Sequence, residues 1–192
     1  MIKKRVLILI KGLGLGGAEN LLAAAAPHLD HERFHYHVGY FLPWKDALVG
    51  PLRAAGLPVC CFDIRWMADL RAVARVRRFV KTRGIELIHA HLPWPSVIAR
   101  AVARCCDVKV MYTEHGCWER LNPITRVVNR ATFGWNDLAI AVSDDVAQSM
   151  AGVRREQLHT ITNGVDCERL GTNRDARAEV KSEFGIPPDH HV

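Results

Sequence analysis

The sequence predicts an α/β chain built on a parallel sheet with helices on both faces. Three observations predict it. Strand-like apolar runs alternate with helix-period segments nearly from end to end. The first run, residues 6–10, is unbroken Val, Leu and Ile, as expected of a strand buried on both sides. Directly after it, "KGLGLGGAEN" places Gly12, Gly14 and Gly17 between that strand and a helix, where a tight turn is needed.

The elements follow in regular order. A helix is expected from about Ala18 through Leu21 and Leu22 to Pro27, and strand two over 35–42. A short helix over 46–55 is ended by Gly56 and the Leu57-Pro58 step, and strand three covers 59–62. A basic helix starts near Asp69; its Leu70, Val73, Val76, Phe79 and Val80 lie on one 3.6-period stripe, and Gly84 supplies a C-cap. Strand four is placed at 86–90, a helix at 96–106, a strand at 108–113, a helix at 124–133 and a strand at 138–142. Ser143 before Asp144-Asp145 has the signature of an N-cap with acids at the positive end of the next helix. A last strand covers 159–162, Asn163-Gly164 makes a turn, and 175–184 is a polar helix closed by Gly185.

Composition bounds the class. The chain has 192 residues, 49% hydrophobic and 24% charged, enough for one well-buried core. No apolar run approaches the ~20 residues of a spanning helix, and the apolar start lacks the length and cleavage site of a secretory signal, which places the bulk of the chain in the cytoplasm. Six cysteines without a zinc-like spacing are expected to be reduced and mostly buried. His28, His31, His35 and His37 straddle a loop and a strand and do not converge as ligands, so no metal is expected. The net charge is +6, and Arg71, Arg75, Arg77, Arg78, Lys81 and Arg83 crowd one helix. That stripe is either a solvated face or a contact for anions, including the inner membrane face; no aromatic interleaving or motif points to nucleic acid.

The glycine loop fits G-x-G-x-x-G, and its amides together with the helix dipole suit an anion. A dinucleotide site also needs a carboxylate at the end of strand two. Residues 34–43 carry none, so an NAD-dependent oxidoreductase is the weakest of the readings. The others are an anion-facing loop with a different ligand and glycines serving only helix–strand packing.

Several stretches in order resemble the amino-terminal half of family 4 glycosyltransferases: "GLGLGGAEN", "ELIHAHLPWPSVIARAVAR", "VMYTEHG", "IAVSDDVAQSM", "ITNGVDCERL" and "EVKSEFGIPPD". The resemblance implies a Rossmann-like domain, one half of a GT-B fold, over residues 1–166, with 167–192 leading toward a C-terminal nucleotide-binding domain. It implies transfer of a sugar from a nucleotide-diphosphate donor to a glycan or lipid-linked acceptor, with retention at the anomeric carbon and no cofactor beyond the donor substrate. His115 is similar to the family histidine that hydrogen-bonds the donor sugar near the reacting carbon. Gly16 and Gly17 would offer amides to the diphosphate or to an anionic acceptor. Gly14, His91, Asn163 and Asp166 would approach the substrates, with His89, Trp94, Trp118, Trp135 and Arg120 as further candidates for the acceptor pocket.

A complete enzyme of two ordinary domains should run to roughly 350 to 400 residues. The family's donor motif, a spaced glutamate pair with a lysine upstream, has no counterpart here. The chain alone is therefore expected to be inert, with an apolar patch on the cleft side that favours self-association. The alternative is a stand-alone module for a glycan or lipid phosphate, working with a separate nucleotide-binding chain.

Overall fold

Five consecutive apolar residues, from Val6 to Ile10, need cover on both faces of their strand, and they have it in the computed structural model, which describes residues 3–64, 69–150, 152, 153, 155–165, 167, 174–187, 189 and 190. They form most of β1 (Lys4–Ile10), near the middle of a seven-stranded parallel sheet. The other strands are β2 (Phe34–Tyr40), β3 (Val59–Cys61), β4 (Leu87–His91), β5 (Lys109–Glu114), β6 (Leu138–Ala141) and β7 (Leu158–Thr160). Their order is β3-β2-β1-β4-β5-β6-β7. The chain thus winds outward in one direction from β1, then restarts at β4 and winds in the other. Connections diverge between β1 and β4, which opens a crevice at the carboxyl edge of the sheet.

The helices are α1 (Gly17–Ala25), α2 (Val49–Ala54), α3 (Arg71–Arg83), α4 (Pro93–Ala103), α5 (Pro123–Thr132), α6 (Asp144–Ser149) and α7 (Arg174–Glu183). Strand alternation divides the core into two layers. Leu7, Leu9, Ile88, Ala90 and Val110 pack on Ala72, Val76 and Val80 of α3 and Ile98 and Val102 of α4. Val6, Ile8, Ile10 and Val38 pack on Leu22 of α1 and Leu52 of α2. Each such aliphatic side chain contributes about 1.5–3 kcal/mol on burial.

Local signals explain the element ends. Gly84 takes the left-handed conformation, φ 59°, and its N–H closes α3 on the Val80 carbonyl. Ser143 accepts the Val146 N–H and starts α6, as its sequence position predicts. The largest displacement from expectation is α4, which begins at Pro93 rather than near residue 96. Pro93 and Pro95 lie in the first turn, where a helix has no use for their missing N–H groups. The expected helix at 46–55 shortens to α2, and the first helix gives way to a 3-10 turn at Ala26–His28.

Two side-chain expectations are corrected. The cysteines are half-buried or, for Cys105 and Cys167, exposed. Trp94 is buried against Phe41, and Trp118 lies in a core cluster with Tyr112 and Phe133, so neither faces an acceptor pocket. His37 is buried beside His35 and Phe79, with its Nδ1 unpartnered among the described residues.

Arg100 on α4 is wholly buried. Its Nε donates to Asn136 Oδ1 at 2.8 Å and its Nη1 to Asn129 Oδ1 at 2.8 Å and Thr132 Oγ1 at 3.0 Å, while the guanidinium stacks on Tyr112 and Phe133. Burial pulls its pKa down to about 10, opposed by Tyr112 and Glu114. This contact makes the inward face of α5 polar. Replacing Arg100 with Leu should strand the Asn129, Asn136 and Thr132 acceptors and lower unfolding free energy in urea by about 3 kcal/mol; Arg100→Lys, a single point donor, should recover only part of it.

Candidate functional site

The carboxyl ends of β4 and β5 carry four polar side chains on one face, because His89, His91, Thr113 and His115 alternate in phase and pair in register, His91 opposite Thr113. His89 Nε2 lies 2.8 Å from Thr113 Oγ1, and His91 Nδ1 lies 2.9 Å from His115 Nε2. The His89 and His91 rings are 4.2 Å apart, and those of His91 and His115 are stacked at 5.2 Å. His115 Nδ1 is buried with no partner among the described residues. Thr113 and His115 share a face, as strand alternation predicts, and both His89 and His91 join them.

These residues line a cleft of about 980 Å³. Its walls are α1, including Ala18, Leu21 and Leu22, the sheet residues Ile8 and Ile140, and Val142 just past β6; the segment after β7, including Asn163 and Val165, closes the far side. It exists because α1 covers the sheet over β1 and β2 but not over β4 to β6. The lining is largely apolar with the histidines set into it, the usual make-up of a small-molecule site. Ile161 and Val165, both in its lining, are exposed.

Of the glycine loop and α1, Gly14, Gly16 and Gly17 are not among the residues that line this cleft, and the first that does is Ala18. Gly12 has a packing reason, since a Cβ there would come 2.8 Å from Lys45 Cβ. The Leu13 N–H donates to the Lys45 carbonyl at 2.7 Å, which ties the loop to the segment after β2. Gly16 and Gly17 are exposed at the start of α1, and the Glu19 carboxylate lies over Gly16. Asn163 lines the cleft, whereas Asp166 lies outside the described residues. Trp135 is exposed with Arg104 over its ring, and Arg120 is exposed in the 3-10 turn at Trp118–Arg120. Of the basic stripe on α3, Arg71 is paired with Asp69 and Arg75 donates to the Phe62 and Asp63 carbonyls, while Arg77, Arg78 and Lys81 are exposed. Among the described residues no group of three or more His, Cys, Asp or Glu side chains is arranged to hold a metal ion, and no helix is long and apolar enough to cross a membrane.

Glu114 holds His115 in place, a role that sequence reasoning missed. Its buried carboxylate accepts from Tyr112 OH, from Trp118 Nε1 at 2.9 Å and from the backbone N–H groups of His115 at 3.0 Å and Gly116 at 3.3 Å. Asn129 Nδ2 donates to Tyr112 OH at 3.2 Å and connects this carboxylate to Arg100. Burial raises the Glu114 pKa, against the four hydrogen bonds that lower it. The only signal in the sequence was its place next to His115.

The turn into α4 is strained. Leu92, between His91 and Pro93, has φ 71° and ψ 157°, a region open to glycine and costly for leucine. Its N–H donates to the Thr113 carbonyl at 3.1 Å, and its carbonyl accepts from Ser96 Oγ at 2.8 Å. Those bonds hold His91 at the rim of the cleft.

Burial keeps all three imidazoles neutral near pH 7: His89 is pulled from 6.5 to about 4, helped by His115, His91 well below 6.5, and His115 below it. The unfolded chain then binds protons that the folded chain refuses, so this contribution to stability is full above pH 6.5 and is lost as pH falls through the depressed folded values. Urea unfolding between pH 6.5 and about 4 should show a shallower loss of stability with falling pH in His89→Asn than in the native chain.

The sequence profile of Glycosyltransferase Family 4 matches residues 15–169, well over half of the chain. EpsF of Bacillus subtilis (strain 168), a protein named as a glycosyltransferase, is 25% identical across 99% of this chain and 53% of its own length. Among solved structures, Anabaena Alr3699/HepE in complex with UDP-glucose superposes with a TM-score of 0.78 at 23% identity, over 94% of this chain and 50% of that one. A glycosyltransferase from Rickettsia africae ESF-5 gives a TM-score of 0.72 at 16% identity, over 98% and 51%. The chain thus spans about half the length of the relatives it matches, and the solved structures share its fold. Together with the parallel sheet and the ordered motifs, the profile match establishes that this chain belongs to Glycosyltransferase Family 4.

Proposed function

We propose that this domain takes part in transferring a sugar from a nucleotide-diphosphate donor to a glycan or lipid-linked acceptor, with retention at the anomeric carbon. The observation that carries the proposal is the His91–His115 pair at the carboxyl edge of the sheet, set in the wall of a cleft large enough for sugars. Family membership supports glycosyl transfer, and the structure of HepE with UDP-glucose supports a UDP-sugar as the donor class. In this reading a neutral His115, fixed by Glu114 and His91, orients the donor sugar and supports positive charge as it develops at the anomeric carbon.

The N–H groups of Gly16 and Gly17, at the start of α1, receive the departing diphosphate or an anionic group of the acceptor, once the flexible Glu19 side chain turns aside. Gly14 extends that loop, while His91 and Asn163 contact the acceptor from the cleft wall.

The test has two parts. Adding acceptor glycans to the 192-residue chain should shift the ring signals of His89, His91 and His115 in NMR spectra. In a protein that joins this domain to a nucleotide-binding half, His115→Ala should lower the turnover of UDP-sugar by ~100-fold or more with little change in stability. Turnover unchanged by that substitution would remove His115 from the reaction, and a product of inverted anomeric configuration would rule out retention.

A further inference from the structure

Helix α5 is built inside out. Viewed along its axis at 100° per residue, its side chains fall into three sectors. Asn129, Thr125 and Thr132 face the protein, where Asn129 and Thr132 accept from Arg100. Ile124, Val127 and Val128 face away and are 78%, 65% and 40% exposed. Arg126 and Arg130 occupy the third sector; both are exposed, Arg130 lying against Gly152. An amphipathic surface helix ordinarily turns its aliphatic residues inward, because their burial drives its docking. Here the buried arginine claims the inward face, and the aliphatic residues are left outside.

The surroundings extend this pattern. Exposed Trp135, in the 3-10 turn that continues α5, carries the Arg104 guanidinium 5.6 Å above its ring, and Arg120 is exposed just before the helix. The helix itself bears no carboxylate. We propose that this face of α5 docks on an anionic lipid bilayer, with Ile124, Val127 and Val128 entering the boundary of the acyl chains and Arg126, Arg130 and Arg120 meeting the headgroup phosphates. A lipid surface answers both sectors at once: the apolar one by burial, the basic one by negative surface potential. Trp135 suits the same interface, where an indole has one apolar and one hydrated side.

Placement agrees with this assignment. Helix α5 packs on α4, which covers the sheet face opposite the cleft, so docking leaves the cleft open. The basic stripe of α3, the surface suggested by charge alone, has among the described residues one strongly exposed large apolar side chain at its start, Leu70, where α5 presents three. It adds long-range attraction without anchoring. The proposal does not depend on the sugar-transfer reading, since it concerns a different face and a different ligand.

Vesicle sedimentation of the 192-residue chain tests it. Equimolar phosphatidylglycerol and phosphatidylcholine vesicles should retain the chain, and pure phosphatidylcholine should not. Ile124→Glu with Val127→Glu should weaken partitioning about tenfold or more, and Arg126→Gln or Arg130→Gln roughly fivefold each at low salt. Far-UV circular dichroism and melting of the variants should match the parent, because every substituted side chain is exposed. The proposal fails if the chain does not bind anionic vesicles, or if the α5 variants bind as well as the parent. It fails equally if Arg77→Glu with Arg78→Glu abolishes binding that the α5 variants retain. A dimer lost on Ile124→Glu, without vesicle binding, would assign the face to a second copy of the chain instead.

Discussion

The carboxylate of Glu114 is enclosed by four hydrogen-bond donors and almost no solvent, and much of the half of the sheet beyond β4 is arranged around it. Two donors are backbone amides of the turn that carries His115, so the carboxylate sets the direction in which the chain leaves β5. A third is the Trp118 indole, which pins the following 3-10 turn. The fourth, Tyr112, leads through Asn129 to Arg100, placing a buried cation and a buried carboxyl in one polar network between α4, α5 and β5. Such a network adds little net stability compared with an apolar core of the same shape, but it permits few alternative packings. The imidazole at the cleft and the helix on the opposite face are thereby fixed by the same set of bonds.

The two faces of the sheet are finished in different ways. On one, α3, α4 and α5 form a continuous layer, and most of its apolar side chains are buried. On the other, α1 and α2 cover only the half nearest β1, and the strands from β4 onward are exposed to the cleft. Order reversal between β1 and β4 produces this asymmetry, because the connections on either side of it depart in opposite directions. Polar side chains at the ends of β4 and β5 are therefore half-covered rather than sealed or fully wet, a setting that lowers imidazole pKa values while leaving room for a ligand.

Fold class and the succession of elements along the chain were legible because they rest on local periodicity: unbroken aliphatic runs for interior strands, a 3.6-period stripe for α3, and serine and glycine signals at the ends of α6 and α3. The shared face of Thr113 and His115 was legible for the same reason. Proline misled the reading at α4, because a residue that breaks a helix interior is favoured in its first turn. The tryptophans misled it because an indole suits a sugar pocket and a core equally well until its neighbours are known. Least legible was the network below His115. Arg100 meets Asn136 across 36 residues of sequence, and nothing in the local pattern announces that an arginine on α4 will be buried. The outward aliphatic face of α5 follows from that burial and was hidden with it.

Leu92 sits in a backbone conformation that a protein selected only for persistence would give to glycine. Glycine there would relieve the distortion, at the loss of the leucine side chain's packing against the core beneath α1. The relief would also loosen the joint between the fourth strand and its helix, and with it the alignment of the two stacked rings at the rim. Backbone relaxation and ring alignment therefore pull in opposite directions at a single residue, which makes position 92 a sensitive place to ask which of them natural selection has favoured.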